Sequence, residues 1–182
     1  PYYNTSPVDN GDGTITYDGH LVWEWWLDIP GGHPMTPLFD SDRYPDSPSG
    51  ASFTTSLANQ ATFSGVGFGG DESVSEYAGR INGILNAPET GTYRFFVASD
   101  DHGLLRISTD TDPANVVVIA EQTGCCNNFS ADGTLSGTVD LVAGNQYYVE
   151  SLLKEGGGGD WMTVAWRMPS EGIDDVPGGN QA

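Results

Sequence analysis

Apolar and polar residues alternate with a period of two along much of this chain. The run 91–98 shows it best, because Tyr93, Phe95 and Val97 fall on one face. Such alternation predicts a half-buried β-strand. Phe96 occupies the opposite face, which indicates that both faces of this strand are largely covered.

Further strands are predicted where β-branched and aromatic runs are bounded by turn residues. These runs are 21–27, 81–85, 104–108, 116–119, 135–141, 146–153 and 161–168. In the first of them Trp23 and Trp25 share one face, and Trp26 takes the other. Short strands with a turn about every 8–12 residues, and almost no helical periodicity, predict an all-β fold, an antiparallel β-sandwich. The proline-rich stretch 30–50 is predicted to be a long irregular loop.

The length of 182 residues predicts one domain. We place the sandwich at residues 1–169 and a polar, glycine-rich linker or tail at 170–182. The chain begins at Pro1 rather than Met, so it reads as a segment of a larger, exported protein, and the isolated domain is expected to be monomeric. No apolar run approaches the length of a membrane span, so direct membrane insertion is not expected.

Composition narrows the classes of partner. Six Lys and Arg residues against 25 Asp and Glu give a formal net charge of −19. This charge disfavours nucleic acids and anionic membranes, and it suits a cation-rich extracellular medium. The acidity does not indicate disorder, since eight Tyr, seven Phe and five Trp can build a core.

Two adjacent carboxylates, Asp100 and Asp101, stand between the runs 91–98 and 104–108. This position predicts the tip of a hairpin. Because the two charges repel each other, a divalent cation is the simplest way to hold them together. The pair is therefore interpreted as a calcium site whose ion in turn binds a sugar. A plain acidic turn is the alternative.

A second acidic loop, 155–160, contains four consecutive glycines and ends at Asp160. Glycines let the backbone turn its carbonyls toward one point. Carbonyls and a carboxylate are ligands that calcium prefers, since it takes six to eight oxygens at about 2.3–2.6 Å. We expect this loop and the Asp pair to meet at one edge of the sandwich; a flexible glycine hairpin is the alternative.

Cys125 and Cys126 are the only cysteines and are adjacent. A vicinal disulfide, two free thiols and pairing with other chains all remain open. His33 has no second His or Cys near it in the sequence, so it is a weak candidate for a metal ligand.

Several segments together resemble one known family. The runs 91–95, 99–107, 141–150 and 154–166 look like the signature of the anthrax protective-antigen-like domain. The resemblance extends from about Glu76 to Pro169. It implies a β-sandwich in which Asp100 and Asp101 are joined by a cis peptide bond and bind calcium. In lectin members of the family, such as yeast flocculins and bacterial adhesins, that ion chelates two vicinal sugar hydroxyls.

Carried onto this sequence, the resemblance implies a set of site residues. The implied metal ligands are Asp100, Asp101, Asp160 and the carbonyls of Gly157 and Gly159. The implied sugar-binding residues are Asp100, Asp101, Gly158, Asp160, Trp161 and His102. Trp161 is an aromatic face for sugar stacking or else a core residue. We also expect the loop of Cys125 and Cys126 to form another wall of the site, a feature that departs from the flocculin pattern.

The sequence thus predicts a calcium-dependent lectin module of a bacterial surface adhesin, extracellular and at the cell surface, that binds cell-surface glycans or simple sugars, as in biofilms. The alternative is a calcium-stabilised structural or protein-binding domain of a large extracellular protein. An enzyme is not expected. Adjacent Asp residues are poorly placed for glycosidase chemistry, and motifs for a nucleophile, a zinc site or a phosphate loop are not seen.

Overall fold

The computed structural model of the chain describes residues 7–9, 11, 15–17, 19–54 and 74–178. Eleven strands occur in this part of the chain. In chain order they are β1 (Pro7–Asp9), β2 (Ile15–Tyr17), β3 (Leu21–Trp26), β4 (Gly50–Thr54), β5 (Tyr77–Asn86), β6 (Gly91–Asp100), β7 (His102–Ser108), β8 (Val116–Gln122), β9 (Ser136–Leu141), β10 (Gln146–Glu155) and β11 (Trp161–Arg167).

Helical structure in the same residues is limited to single turns. The helix α1 covers Thr36–Phe39, and short 3-10 helices cover Pro113–Asn115, Gly133–Leu135 and Pro169–Glu171. No helix within the described ranges has the length and apolar character required to cross a membrane.

The strands form antiparallel sheets. A six-stranded sheet has the order β4-β3-β5-β10-β7-β8, a three-stranded sheet has the order β11-β6-β9, and β1 pairs with β2. The main hydrophobic core combines residues of the two larger sheets, including Trp23 and Leu105 from one and Tyr93 and Val164 from the other. The predicted all-β sandwich is therefore confirmed.

The outer faces of both sheets are also covered, as Phe96 indicated. Phe96 is fully buried in a small outer cluster with Ala98 and Phe129. On the six-stranded sheet, Trp26 is buried beneath Leu38 of α1, whereas Trp23 and Trp25 pack in the main core. The long loop predicted over 30–50 is the segment that supplies this outer cover, and it contains only α1, turns and the first residue of β4 as regular structure.

The expectation of a hairpin at Asp100 and Asp101 was wrong. Strand β6 ends at Asp100 in the three-stranded sheet, and β7 begins at His102 in the six-stranded sheet. The 156–160 loop makes a second crossover, since it joins β10 of the large sheet to β11 of the small one. A period-2 pattern identifies the face of the sheet on which a side chain lies, but it does not identify which other strands a given strand pairs with.

The contacts of the sandwich continue beyond Pro169 into the segment predicted to be a linker. Ser170 Oγ donates a hydrogen bond to Glu89 Oε1 at 2.6 Å, and Arg94 pairs with Asp174 at 3.2 Å. Residues 1–6 and 179–182, at the ends of the predicted domain and tail, lie outside the described residues.

Candidate functional site

Both crossover loops leave the sandwich at the same end. In the small sheet Trp161 lies opposite Asp100, and in the large sheet Lys154 lies opposite His102. The backbone N–H of Gly156 donates to Asp101 Oδ2 at 3.1 Å. A Cβ atom on Gly159 would lie 3.4 Å from Asp100 Oδ2. The structure thus brings the Asp pair and the glycine loop together, and the Asp100–Asp101 peptide bond is cis.

Two further carboxylates lie beneath this contact. Asp160 is only 7% exposed, and Tyr77 donates its hydroxyl proton to Asp160 Oδ2 at 2.5 Å. Glu155, at the end of β10, is fully buried. Its Oε2 accepts from the Asp101 N–H at 3.3 Å, while its Oε1 has no hydrogen-bond partner in the described part of the chain.

The proximity of these acids changes their ionisation. Burial and the neighbouring Asp101 and Asp160 raise the pKa of Glu155 to about 7. Burial, followed by the charges of the same two residues, also raises the pKa of Asp100. The pKa of the Tyr77 hydroxyl is raised by burial and by its hydrogen bond to Asp160. The carboxyl groups at this end of the sandwich therefore oppose one another's ionisation.

The crowding of these carboxyl groups bears on whether calcium fits the site, because a cation between them would favour their charged forms. The converging donors are carboxylate oxygens, and the adjacent Gly157, Gly158 and Gly159 are exposed, so their carbonyls lie on a segment that an ion can reach. Gly158 has φ = +112°, a left-handed conformation that a residue with a side chain rarely adopts. Hard oxygen ligands on a loop of this kind suit Ca²⁺. The residues present therefore fit the metal.

A buried cation fixes the base of the glycine loop from the other side of β10. Lys154 is fully buried, and its ammonium group donates to Gly32 O at 2.7 Å and to Glu155 O at 2.6 Å. Glu76 Oε2 lies 3.5 Å from the same nitrogen and accepts from the Gly32 N–H at 3.0 Å. Burial lowers the pKa of Lys154. These contacts hold the 30–35 segment against the loop.

The same packing explains Gly156. A Cβ atom at this position would lie 3.1 Å from the backbone nitrogen of His33 and 3.2 Å from the carbonyl carbon of Gly32. A larger residue would push the 30–35 segment away from the loop. His33 itself is exposed, and it is the backbone of His33 that approaches the loop.

A second set of contacts supports the Asp pair from strand β8. Ser99 Oγ donates to Asp101 O at 2.7 Å, and the Gln122 side chain forms hydrogen bonds with both the N–H and the carbonyl of Ser99. The Cys126 N–H also donates to Ser99 O, at 2.8 Å. The carbonyl immediately before the Asp pair is therefore held by two donors.

The adjacent cysteines lie next to this carbonyl. Cys125 and Cys126 are bonded to each other as a vicinal disulfide. Both residues are exposed, and their sulfur atoms and a carboxylate oxygen of Asp100 all lie within 4.8 Å of one another. The disulfide loop therefore flanks the Asp pair.

Two of the predicted sugar-binding residues have other contacts. Trp161 is half-buried and packs against the outer cluster of Phe96. His102 is 7% exposed, and its Nε2 lies 2.9 Å from Glu121 Oε1. By strand alternation the His102 side chain shares the outer face of the six-stranded sheet with Leu104. The His102 side chain thus has its hydrogen-bond partner in β8, at Glu121.

Sequence reasoning missed Glu155, Tyr77 and Lys154 as parts of this site. The sequence pattern could have identified Glu155. Every second residue of β10 faces the core, and this pattern places Glu155 inward if the predicted strand is extended from 153 to 155. Tyr77 carried no such signal, since it is distant in sequence and pairs with Glu155 only through the sheet register.

Curated relatives match part of the chain. Human Fibrocystin-L is 34% identical over 80 residues, which make up 43% of this chain and 2% of Fibrocystin-L. The mouse protein of the same name is 32% identical over 80 residues. The chain thus corresponds to a very small part of these relatives.

Solved structures share the fold. The epithelial adhesin 9 A domain from Candida glabrata, in complex with Galβ1-4GlcNAc, has a TM-score of 0.56 and 11% identity, covering 84% of this chain and 83% of that one. A beta-glucosidase from Kluyveromyces marxianus has a TM-score of 0.57 and 13% identity, covering 91% of this chain and 18% of that one. At these identities the similarity shows the fold alone.

The family assignment follows from a broader match. The family model of the PA14 domain matches residues 36–179, well over half of the chain. This match agrees with the protective-antigen-like motifs of the sequence, and the chain belongs to the PA14 domain family.

Proposed function

We propose that this PA14 domain is a calcium-dependent carbohydrate-binding module of a cell-surface adhesin. The observation that supports it most is the convergence of Asp100, Asp101 and Asp160 beside an exposed glycine loop. Carboxylates crowded at an accessible edge, with backbone carbonyls nearby, form a half-shell of oxygen ligands that leaves one side open to solvent and to a ligand.

The chain's own residues would hold the ion from below. Asp100, Asp101 and Asp160 supply carboxylate oxygens, and Gly157 and Gly159 supply carbonyls. Calcium, when bound, offers its remaining coordination positions to two vicinal hydroxyls of a sugar in place of water. Oxygens of the same carboxylates that do not hold the ion would accept hydrogen bonds from those hydroxyls and so orient the sugar.

The surroundings of the half-shell would set specificity. A Cβ atom at Gly158 would have nothing within 4 Å, so this part of the loop leaves open space; the Cys125–Cys126 loop would form one wall, and the half-buried Trp161 directly follows Asp160. The packing of His102 against Glu121 favours a structural role for that residue over a direct contact with sugar. Few ligand atoms are buried in such a site, so affinity for one sugar should be about millimolar, and strong adhesion would need many copies.

The comparisons support this proposal at the level of the fold. An adhesin domain solved with a disaccharide has the same fold over most of both chains. The beta-glucosidase matches this chain over only 18% of its own length, so that similarity gives no support to an enzyme here. An extracellular, cell-surface location fits the adhesin-type role, and the bacterial origin stays a prediction.

A glycan array with matched variants tests the proposal. The domain is screened with calcium, with chelator, and as Asp101→Asn, which keeps the size of the side chain and removes its charge. Asp132→Asn is the control, because Asp132 is an exposed acid whose side chain makes no capping bond in the 3-10 helix that it precedes. Binding is expected for the unchanged domain and the control in calcium, and should vanish with chelator or Asp101→Asn.

Circular dichroism verifies that every sample is folded. The lectin function is refuted if a folded domain binds no glycan in calcium, or if binding survives the chelator.

A second candidate function is a structural calcium site. The observation that favours it is the buried bridge from Tyr77 of the large sheet to Asp160, which precedes a strand of the small sheet. A cation at this point would stabilise the sandwich even without a sugar. Calcium-dependent stabilisation in a domain that binds no glycan would identify this function.

A further inference from the structure

We propose that reduction of the Cys125–Cys126 disulfide creates a second metal site, selective for a thiophilic divalent ion such as Zn²⁺. Its ligands are the two cysteine thiolates and the Asp100 carboxylate. In the oxidised protein the sulfur atoms are bonded to each other, so neither is available as a thiolate ligand. The oxidation state of one loop thereby decides which class of metal this end of the sandwich can bind.

The geometry carries the proposal. Both sulfur atoms and an Asp100 oxygen already lie within 4.8 Å of one another. Zinc has Zn–S bonds of about 2.3 Å and tetrahedral coordination, so its ligand atoms lie about 3.8 Å apart. To close the site, the sulfur-to-oxygen distances would shorten by up to about 1 Å, and the two sulfur atoms, about 2 Å apart while bonded, would separate by roughly 2 Å once the disulfide is reduced. A water molecule would take the fourth position.

The loop is expected to keep its place after reduction, because its anchors do not involve sulfur. The Cys126 N–H donates to Ser99 O at 2.8 Å, and Gln122 Nε2 donates to Gly124 O at 2.8 Å. Gln122 is 1% exposed and also bonds Ser99, so this support belongs to the packed part of the sheet. The two thiols would therefore remain beside Asp100.

The sulfur atoms are also open to a reductant, since Cys125 and Cys126 are both exposed. A dithiol reduces the bond in two steps. Its thiolate attacks one sulfur to give a mixed disulfide, and its second thiol displaces the protein. The dithiol is oxidised to its disulfide, and the protein gains two electrons and two protons as two thiols. Zinc binding then releases the two thiol protons.

Selectivity follows from the ligand types. Thiolates are soft ligands that favour zinc over calcium, whereas calcium prefers oxygen. Asp100 belongs to both ligand sets, so the two metals would compete for it. This competition rests on the proposed function, but binding of a soft metal to the dithiol does not.

Cadmium is the probe for the test, because thiolate-to-cadmium charge transfer gives an ultraviolet absorption that oxygen ligands do not produce. The whole domain is reduced with a dithiol, desalted without oxygen, and titrated after two free thiols have been counted. Reduced protein should show the band at one ion per chain, zinc should displace it, and oxidised protein should show none. Asp100→Asn should weaken cadmium binding about tenfold or more. Cys125→Ser/Cys126→Ser should abolish the band, and Asp132→Asn should leave it unchanged.

The proposal is overturned if the reduced domain shows no band or is no longer folded by circular dichroism. It is overturned equally if Asp100→Asn binds cadmium as tightly as the unchanged protein, since the thiols would then act alone. Added calcium should weaken cadmium binding to the reduced protein. Tight cadmium binding that calcium does not affect would leave the thiol site standing and would instead contradict the calcium site.

Discussion

Replacing Lys154 by Met should destabilise the domain strongly. Met keeps most of the buried stem and removes the ammonium group, which bonds Gly32 O and Glu155 O at 2.7 and 2.6 Å. Both carbonyls, and Glu76 3.5 Å away, would lose a charged partner. Removing one partner of a buried ion pair costs about 3–5 kcal/mol. Because Glu76 is partly exposed to water, we expect about 3 kcal/mol, the low end of that range.

Urea unfolding followed by tryptophan fluorescence measures this loss. A decrease of about 3 kcal/mol lowers the urea midpoint by about 1 M or slightly more for a domain of this size. Arg167→Met is the control, since Arg167 makes an exposed hydrogen bond to Asp175 O and should cost less than about 1 kcal/mol. A Lys154→Met loss no larger than that of the control would refute the idea that Lys154 anchors the glycine loop.

Three further predictions concern the same end of the sandwich. Calcium at about 100 times its dissociation constant should stabilise the domain by about 2.7 kcal/mol, which raises the melting temperature by about 5–10 °C; no shift in calorimetry would contradict a metal site. In calcium-free protein, Glu155 has a pKa raised from 4.5 to about 7, so the folded state holds more protons than the unfolded state between these values. Stability should therefore fall by up to about 3 kcal/mol as pH rises from about 5 to 8, and Glu155→Gln should flatten this slope in urea titrations; a slope that persists would assign it to other groups. Gly103→Ala should cost about 1–3 kcal/mol in urea unfolding, because its Cβ would lie 2.4 Å from Ser99 Oγ, whereas Gly124→Ala, with nothing within 4 Å, should be nearly neutral.

The strands were the part of the fold that could be predicted well from sequence. Alternation identified β6, β10 and β11 because both sheets bury one face in a shared core and cover much of the other. Their pairing could not be read in the same way. Alternation gives the face of a side chain, and the choice of sheet for β7 depends on partners that are distant in the chain.

The acidic half of the site could also be predicted, because the Asp pair and Asp160 are unusual in the sequence itself. Its supports could not. Lys154 is buried against the usual preference of lysine for solvent, and it is stabilised by Gly32, which is 122 residues away. Residue patterns show where charges occur, whereas the burial of those charges is a property of the assembled sheets.

The two crossovers at one end of the sandwich have a mechanical consequence. Asp100 ends a strand of the small sheet, Asp101 leads into the large sheet, and Tyr77 of the large sheet bonds Asp160. A ligand held at this point is attached to both layers at once. A pulling force applied through such a ligand would be shared between the two sheets and would not separate a single edge strand from its sheet. A cation bound here would link the two sheets. Ligand binding and mechanical stability would then depend on the same carboxylates, those of Asp100, Asp101 and Asp160.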